Sequence, residues 1–178
     1  MNVVPKLQKM YLFKSVSRRS LEEFIAYAPP VTFPRGSEVF RQGTPADVAL
    51  LLVEGRLIAE VSGGGEARQV GEIHEGEILG EQGLFVPGGH RSATVIAAQD
   101  CVCLLLNQSV MDQASSNPAI VMLEQQLLGT LARRIRKTNQ TIQQAWKTEE
   151  PETTAPATDD APPPQSIRQR LTRLFGGS

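Results

Sequence analysis

Apolar positions along the chain switch period, and each switch predicts a change of element. Between Leu7 and Tyr27 the spacing is helical. Leu7, Met10, Tyr11, Leu12 and Phe13 form one apolar cluster. A second helix follows, capped by Ser17 or Ser20, with Leu21, Phe24, Ile25 and Tyr27 on its buried face. Pro29 and Pro30 end it. From Val31 to Leu106 the apolar runs shorten and glycine recurs every few residues. That rhythm predicts short strands, including 57–61, 67–73, 94–98 and 101–106, in a β-barrel or sandwich. Gly63, Gly64 and Gly65 mark a hairpin tip. After Asn107 the helical period returns. It predicts a short helix over 109–115 capped by Ser109, then a long helix from Pro118 to about Lys147.

A helix of that length spans roughly 45 Å, more than one barrel needs. Along it Leu128, Leu131, Ile135, Thr138, Ile142 and Ala145 follow the alternating three-four spacing of a coiled-coil seam, which predicts a homodimer. The basic run Arg133, Arg134, Arg136 and Lys137 reads as a solvated helix face. Residues 148–165 are rich in Pro, Thr, Ala and acidic side chains, the composition of a disordered linker. In 166–178, Ile167, Leu171, Leu174 and Phe175 share one helical face beside Arg168, Arg170 and Arg173. This short amphipathic tail is expected to dock on a protein partner or a membrane surface. The domain reading is therefore 1–147 with a dimerisation helix over 118–147, the linker 148–165 and the tail 166–178.

Composition narrows the function. The chain has 178 residues, 40% hydrophobic, enough for one core, and a formal net charge of −1, which gives no sign of a nucleic-acid binder. The start lacks a signal peptide's apolar stretch and no run is long enough to span a bilayer, so a cytoplasmic protein is expected. Cys101 and Cys103 would share one face of a strand as two core thiols, with no ligand pattern for a metal. His74 and His90 are isolated. No nucleophile–base set, metal cluster or Walker loop stands out, so the chain is expected not to be an enzyme.

The candidate chemistry lies in residues 80–94. Gly80 and Gly83 allow a tight backbone, whose N–H groups at a short helix start can cradle an anion. Arg91 offers a planar, permanently charged fork that suits a phosphate, and Ser92 adds a further donor. Glu81 can accept a hydrogen bond from a sugar hydroxyl. A ribose cyclic phosphate fits this set. So does the plainer alternative, a glycine-rich hairpin with a surface salt bridge.

The stretch Gly80-Glu81, then Gly83-Leu84-Phe85, then Arg91-Ser92-Ala93-Thr94 resembles the phosphate-binding cassette of cyclic-nucleotide-binding domains, in its bacterial catabolite-activator form. The similarity runs through most of residues 11–145. Gln82 departs from it, where an aliphatic residue is usual, as does Pro87. The resemblance implies an α+β fold: a jelly-roll-like cyclic-nucleotide-binding β-roll with N-terminal helices and a long C-terminal helix. It implies a ligand site of Gly80, Glu81, Gln82, Gly83, Leu84, Arg91, Ser92 and Ala93, with Thr138 and Asn139 contacting the purine. The expected function is a stand-alone cyclic-nucleotide sensor relaying binding to a partner through its long helix and tail. The ligand is expected to be cAMP, with cGMP or cyclic di-GMP as alternatives and no metal. A non-binding dimeric scaffold is the other reading. Residues 148–178 have no room for the family's DNA-binding winged helix, so no DNA-binding domain is expected.

Overall fold

A computed structural model describes residues 2–85, 88–113 and 116–149, with Gln113 and residues 145–149 described by backbone alone. The expected tail, and the linker beyond Glu149, lie outside the described residues. Contacts divide the chain into two units, residues 1–136 and 137–178.

Two antiparallel four-stranded sheets make the β-roll. The first has the order β1 (Pro30–Phe33), β8 (Cys101–Leu106), β3 (Ala49–Glu54), β6 (Ile78–Leu79). The second has β2 (Glu38–Phe40), β7 (Thr94–Ala97), β4 (Leu57–Val61), β5 (Arg68–Ile73). Alternation places the core. In β3, Leu50 and Leu52 pack inside the roll with Cys101 and Cys103, while Ala49, Leu51 and Val53 pack outward with Leu104 and Leu106. Both faces are buried, which is why β3 and β8 read as unbroken apolar runs. Cys101 and Cys103 do share a face, as free thiols. Burial raises both pKa values, that of Cys103 to about 12.

The outward face of β3 and β8 is covered by helices: α1 (Val4–Lys9), α2 (Arg18–Tyr27), α4 (Gln108–Gln113) and the start of α5 (Pro118–Glu149). Ser17 caps α2 by accepting from the Ser20 N–H at 3.1 Å. Three local expectations are corrected. Tyr11 and Tyr27 are exposed: a 3₁₀ turn, Tyr11–Phe13, buries Phe13 instead, and the buried stripe of α2 runs Leu21, Phe24 and on to Ala28. The N-cap of α4 is Asn107, not Ser109, since Asn107 Oδ1 accepts from the Val110 N–H at 2.9 Å. Asn can cap as well as Ser, so the pattern alone leaves the register open.

Pro118 opens α5, and Asn117 caps it. The Asn117 Oδ1 accepts from the Ala119 N–H at 2.8 Å while its Nδ2 donates to the Ser20 carbonyl at 3.0 Å. This bond joins the starts of α2 and α5. Ala119, Ile120, Leu123 and Leu127 are buried against the roll. Val121, Leu128, Ile135 and Ile142, seven residues apart, are exposed. No helix among the described residues is long and apolar enough to cross a membrane.

Candidate functional site

A cavity of about 280 Å³ opens on the second sheet, walled by β5, the β6 end, the cassette and α5. That is near the lower end for small-molecule sites. Its apolar wall is Ala59, Val70, Ile73, Ile78, Leu79 and Val95. Its polar groups come from Gly80, Glu81, Gln82, Arg91 and Ser92, with Ala93 beside them. Six of the expected site residues are thus brought to one wall.

Gly83 and Leu84 stand behind that wall. Their N–H groups donate to the Gly80 and Glu81 carbonyls, both at 3.0 Å, so they build the one-turn helix α3 (Gln82–Phe85) and are already engaged. Leu84 is buried in the core. Gly83 lies against another segment: a Cβ there would come 2.9 Å from the Ala46 carbonyl carbon. Close approach is what the structure asks of this glycine. Thr138 and Asn139 are exposed on the part of α5 beyond Arg136.

The backbone of Arg91 is clamped. Its N–H donates to the Thr44 carbonyl at 2.8 Å, and its carbonyl accepts from the Gly43 N–H at 2.9 Å. His90 bridges to Pro45. The Arg91 side chain is thereby turned inward and the residue is only 7% exposed. Its guanidinium lies on the Phe40 ring, 3.6 Å from the centroid. Nη1 donates to the Gly80 carbonyl at 3.4 Å, and Asp47 lies 3.8 Å from Nη2. Burial pulls its pKa below the usual arginine range, and Asp47 partly offsets this. Arginine stays charged even so.

Glu81 is 3% exposed. Its Oε1 accepts from Arg134 Nη1 of α5, forming an ion pair across the cavity. Arg134 is therefore not part of a wholly solvated face, as the basic run suggested. It lines the cavity. Nothing local in Arg133-Arg134-Ile135-Arg136 distinguishes it from its neighbours, and only packing selects it. Phe40 likewise carries no local signal of a site in the sequence. A buried guanidinium and a buried carboxylate lining one apolar-walled cavity can take a ligand that carries both an anion and a hydroxyl.

Residues 30–117 match the family model described as the cyclic nucleotide-binding domain. The chain is 26% identical over 137 residues to the CRP-like cAMP-activated global transcriptional regulator of Mycobacterium tuberculosis, covering 76% of this chain and 60% of the relative. The match thus spans under two thirds of that relative's length. Among solved structures, the N-terminal domain of a transcriptional regulator from Streptomyces coelicolor is 28% identical with a TM-score of 0.57, covering 77% of this chain and 94% of that one. The catabolite activator protein of Thermus thermophilus shares the fold at a TM-score of 0.64 and 24% identity, covering 75% and 62%.

Proposed function

With residues 30–117 a cyclic nucleotide-binding domain, we infer that the chain senses cAMP. Arg91 takes the cyclic phosphate, with Ser92 as a second donor. Glu81 accepts the ribose 2′-hydroxyl through the oxygen that Arg134 leaves available. The resemblance assigns Thr138 and Asn139 to the purine. One observation carries the reading: Glu81 and Arg91, both buried, border the same apolar-walled cavity. Charged residues are rarely buried without a function or a partner, and among the described residues the Arg91 side chain has only long polar contacts. The name of the mycobacterial relative, cAMP-activated, favours cAMP over other cyclic nucleotides.

The signal would be a population shift. Ligand can act only through unequal affinity for two states of the domain. Arg134 joins the cavity to α5 next to Ile135, so a ligand that alters the Glu81–Arg134 pair acts on the same helical turn as the exposed apolar stripe. That stripe is the surface of a parallel homodimer, and Leu131→Glu with Ile135→Glu should leave a monomer by light scattering at micromolar concentration. Output onward would pass through this helix and the tail.

Calorimetric titration with cAMP, cGMP and cyclic di-GMP tests the ligand. Saturable binding with cAMP tightest supports the reading. Tighter binding of cyclic di-GMP would reassign the ligand, and no binding of any of the three would leave a scaffold.

A further inference from the structure

We propose that Phe40 is a positioning residue for the anion site: its ring holds the Arg91 guanidinium flat and edge-forward before any ligand arrives. This rests on the reading that Arg91 receives the phosphate.

The polar contacts of the Arg91 side chain are too weak to hold it. An N–H to carbonyl bond is ordinarily near 2.9 Å. The Gly80 carbonyl is at 3.4 Å. The Asp47 carboxylate is at 3.8 Å, and its side chain is 84% exposed, so water screens it. The Phe40 ring lies flat against the guanidinium, with its centroid 3.6 Å from the guanidinium carbon. A cation over an aromatic face gains most where both are removed from water.

Gly80 crowds the Nη1 edge of the guanidinium beside that ring. This glycine has a φ of +71°, and a Cβ on it would strike Arg91 Nη1 and come within 2.9 Å of Phe40 Cε2. Phe40 thus covers one face of the guanidinium, and Gly80 leaves room for its Nη1 edge against the ring. The ring and the arginine are both anchored. Phe40 is paired with Val95 in the β2–β7 ladder, and the Arg91 backbone is tied to Gly43 and Thr44. With the ring holding that face, the in-plane N–H groups are turned toward a ligand. That edge is the fork that meets two phosphate oxygens at once.

An aliphatic residue at position 40 would fill the space but present no negative ring face. A lysine at position 91 would carry the charge but not the plane. These two properties separate positioning from simple packing.

The test is calorimetry with cAMP on Phe40→Leu and Phe40→Tyr, in the wild-type and Arg91→Lys backgrounds. Phe40→Leu should weaken binding about tenfold, and Phe40→Tyr should stay within about twofold, because it keeps the ring. In the Arg91→Lys background Phe40→Leu should cost far less. Equal affinity in Phe40→Leu, equal losses in both backgrounds, or a Phe40→Tyr as weak as Phe40→Leu would each overturn the proposal. If Phe40→Leu does not fold, Phe40→Met replaces it. Failure of the cAMP reading shows separately, as a wild type that binds no cyclic nucleotide. The stack is then judged by NMR of the unliganded chain: a ring-current shift of the Arg91 Nε–H that disappears in Phe40→Leu supports it, and its absence in the wild type refutes it.

Discussion

Glu81 and Arg91 stand at the two ends of one cassette, both buried, and the chain holds them by different means. Glu81 meets a full counter-charge, Arg134, brought in by α5. Arg91 meets an aromatic face, a carbonyl at 3.4 Å and a distant, exposed carboxylate. One charge is neutralised from within. The other is kept in place without being neutralised. A buried charge held ready in this way keeps its attraction for an external anion, because no internal partner has to be displaced first. The carboxylate end, already paired, contributes orientation more than net attraction.

That contrast predicts unequal losses. Arg91→Ala removes the proposed partner of the phosphate, a buried guanidinium. It should cost about 2–4 kcal/mol, roughly a 30- to 1000-fold loss of cAMP affinity by calorimetry. Arg91→Lys should lose much of the same, since an ammonium makes no fork. An unchanged affinity in Arg91→Ala would end the assignment of this residue.

Glu81→Gln keeps a carbonyl oxygen and gives up the charge. The expected loss is about tenfold. Wild type should prefer cAMP over its 2′-deoxy analogue, and the variant should prefer it less. If the preference is the same in both, the ribose is not what Glu81 recognises.

Arg134→Ala should have the smallest effect. The Arg134 side chain is 57% exposed, so its pair with Glu81 is screened. Pairs of that kind are typically worth at most about 1 kcal/mol. Affinity should fall about threefold, and the unfolding midpoint by about 2–4 °C. A loss as large as that of Glu81→Gln would show that Glu81 depends wholly on α5, and the contrast between the two ends would disappear.

The roll was legible where strands alternate or are buried on both faces. Leu57–Val61 and Cys101–Leu106 stand where the pattern put them. The two-residue β6 is too short to show a period. The cassette was legible because its glycines and its Arg-Ser pair sit close together in the chain. Gly83 and Leu84 were legible as cassette residues, but their places against the Ala46 backbone and in the α3 turn were not. Asn107 and Ser109 are both competent caps, and the chain path chose between them.

What the sequence by itself determined is local. The period of two made the strands, the period near 3.6 made the helices, and the short run from Gly80 to Thr94 placed a carboxylate and a guanidinium on one turn. The seven-residue repeat of Val121, Leu128, Ile135 and Ile142 also belongs to the sequence alone, because it needs nothing but one continuous helix. The tertiary structure decided which of four neighbouring basic residues reaches Glu81, 53 positions away, and which ring lies against Arg91. Those choices depend on where strand pairing and helix packing bring distant backbone together. A side chain's neighbours across such a gap carry no periodic signal along the chain.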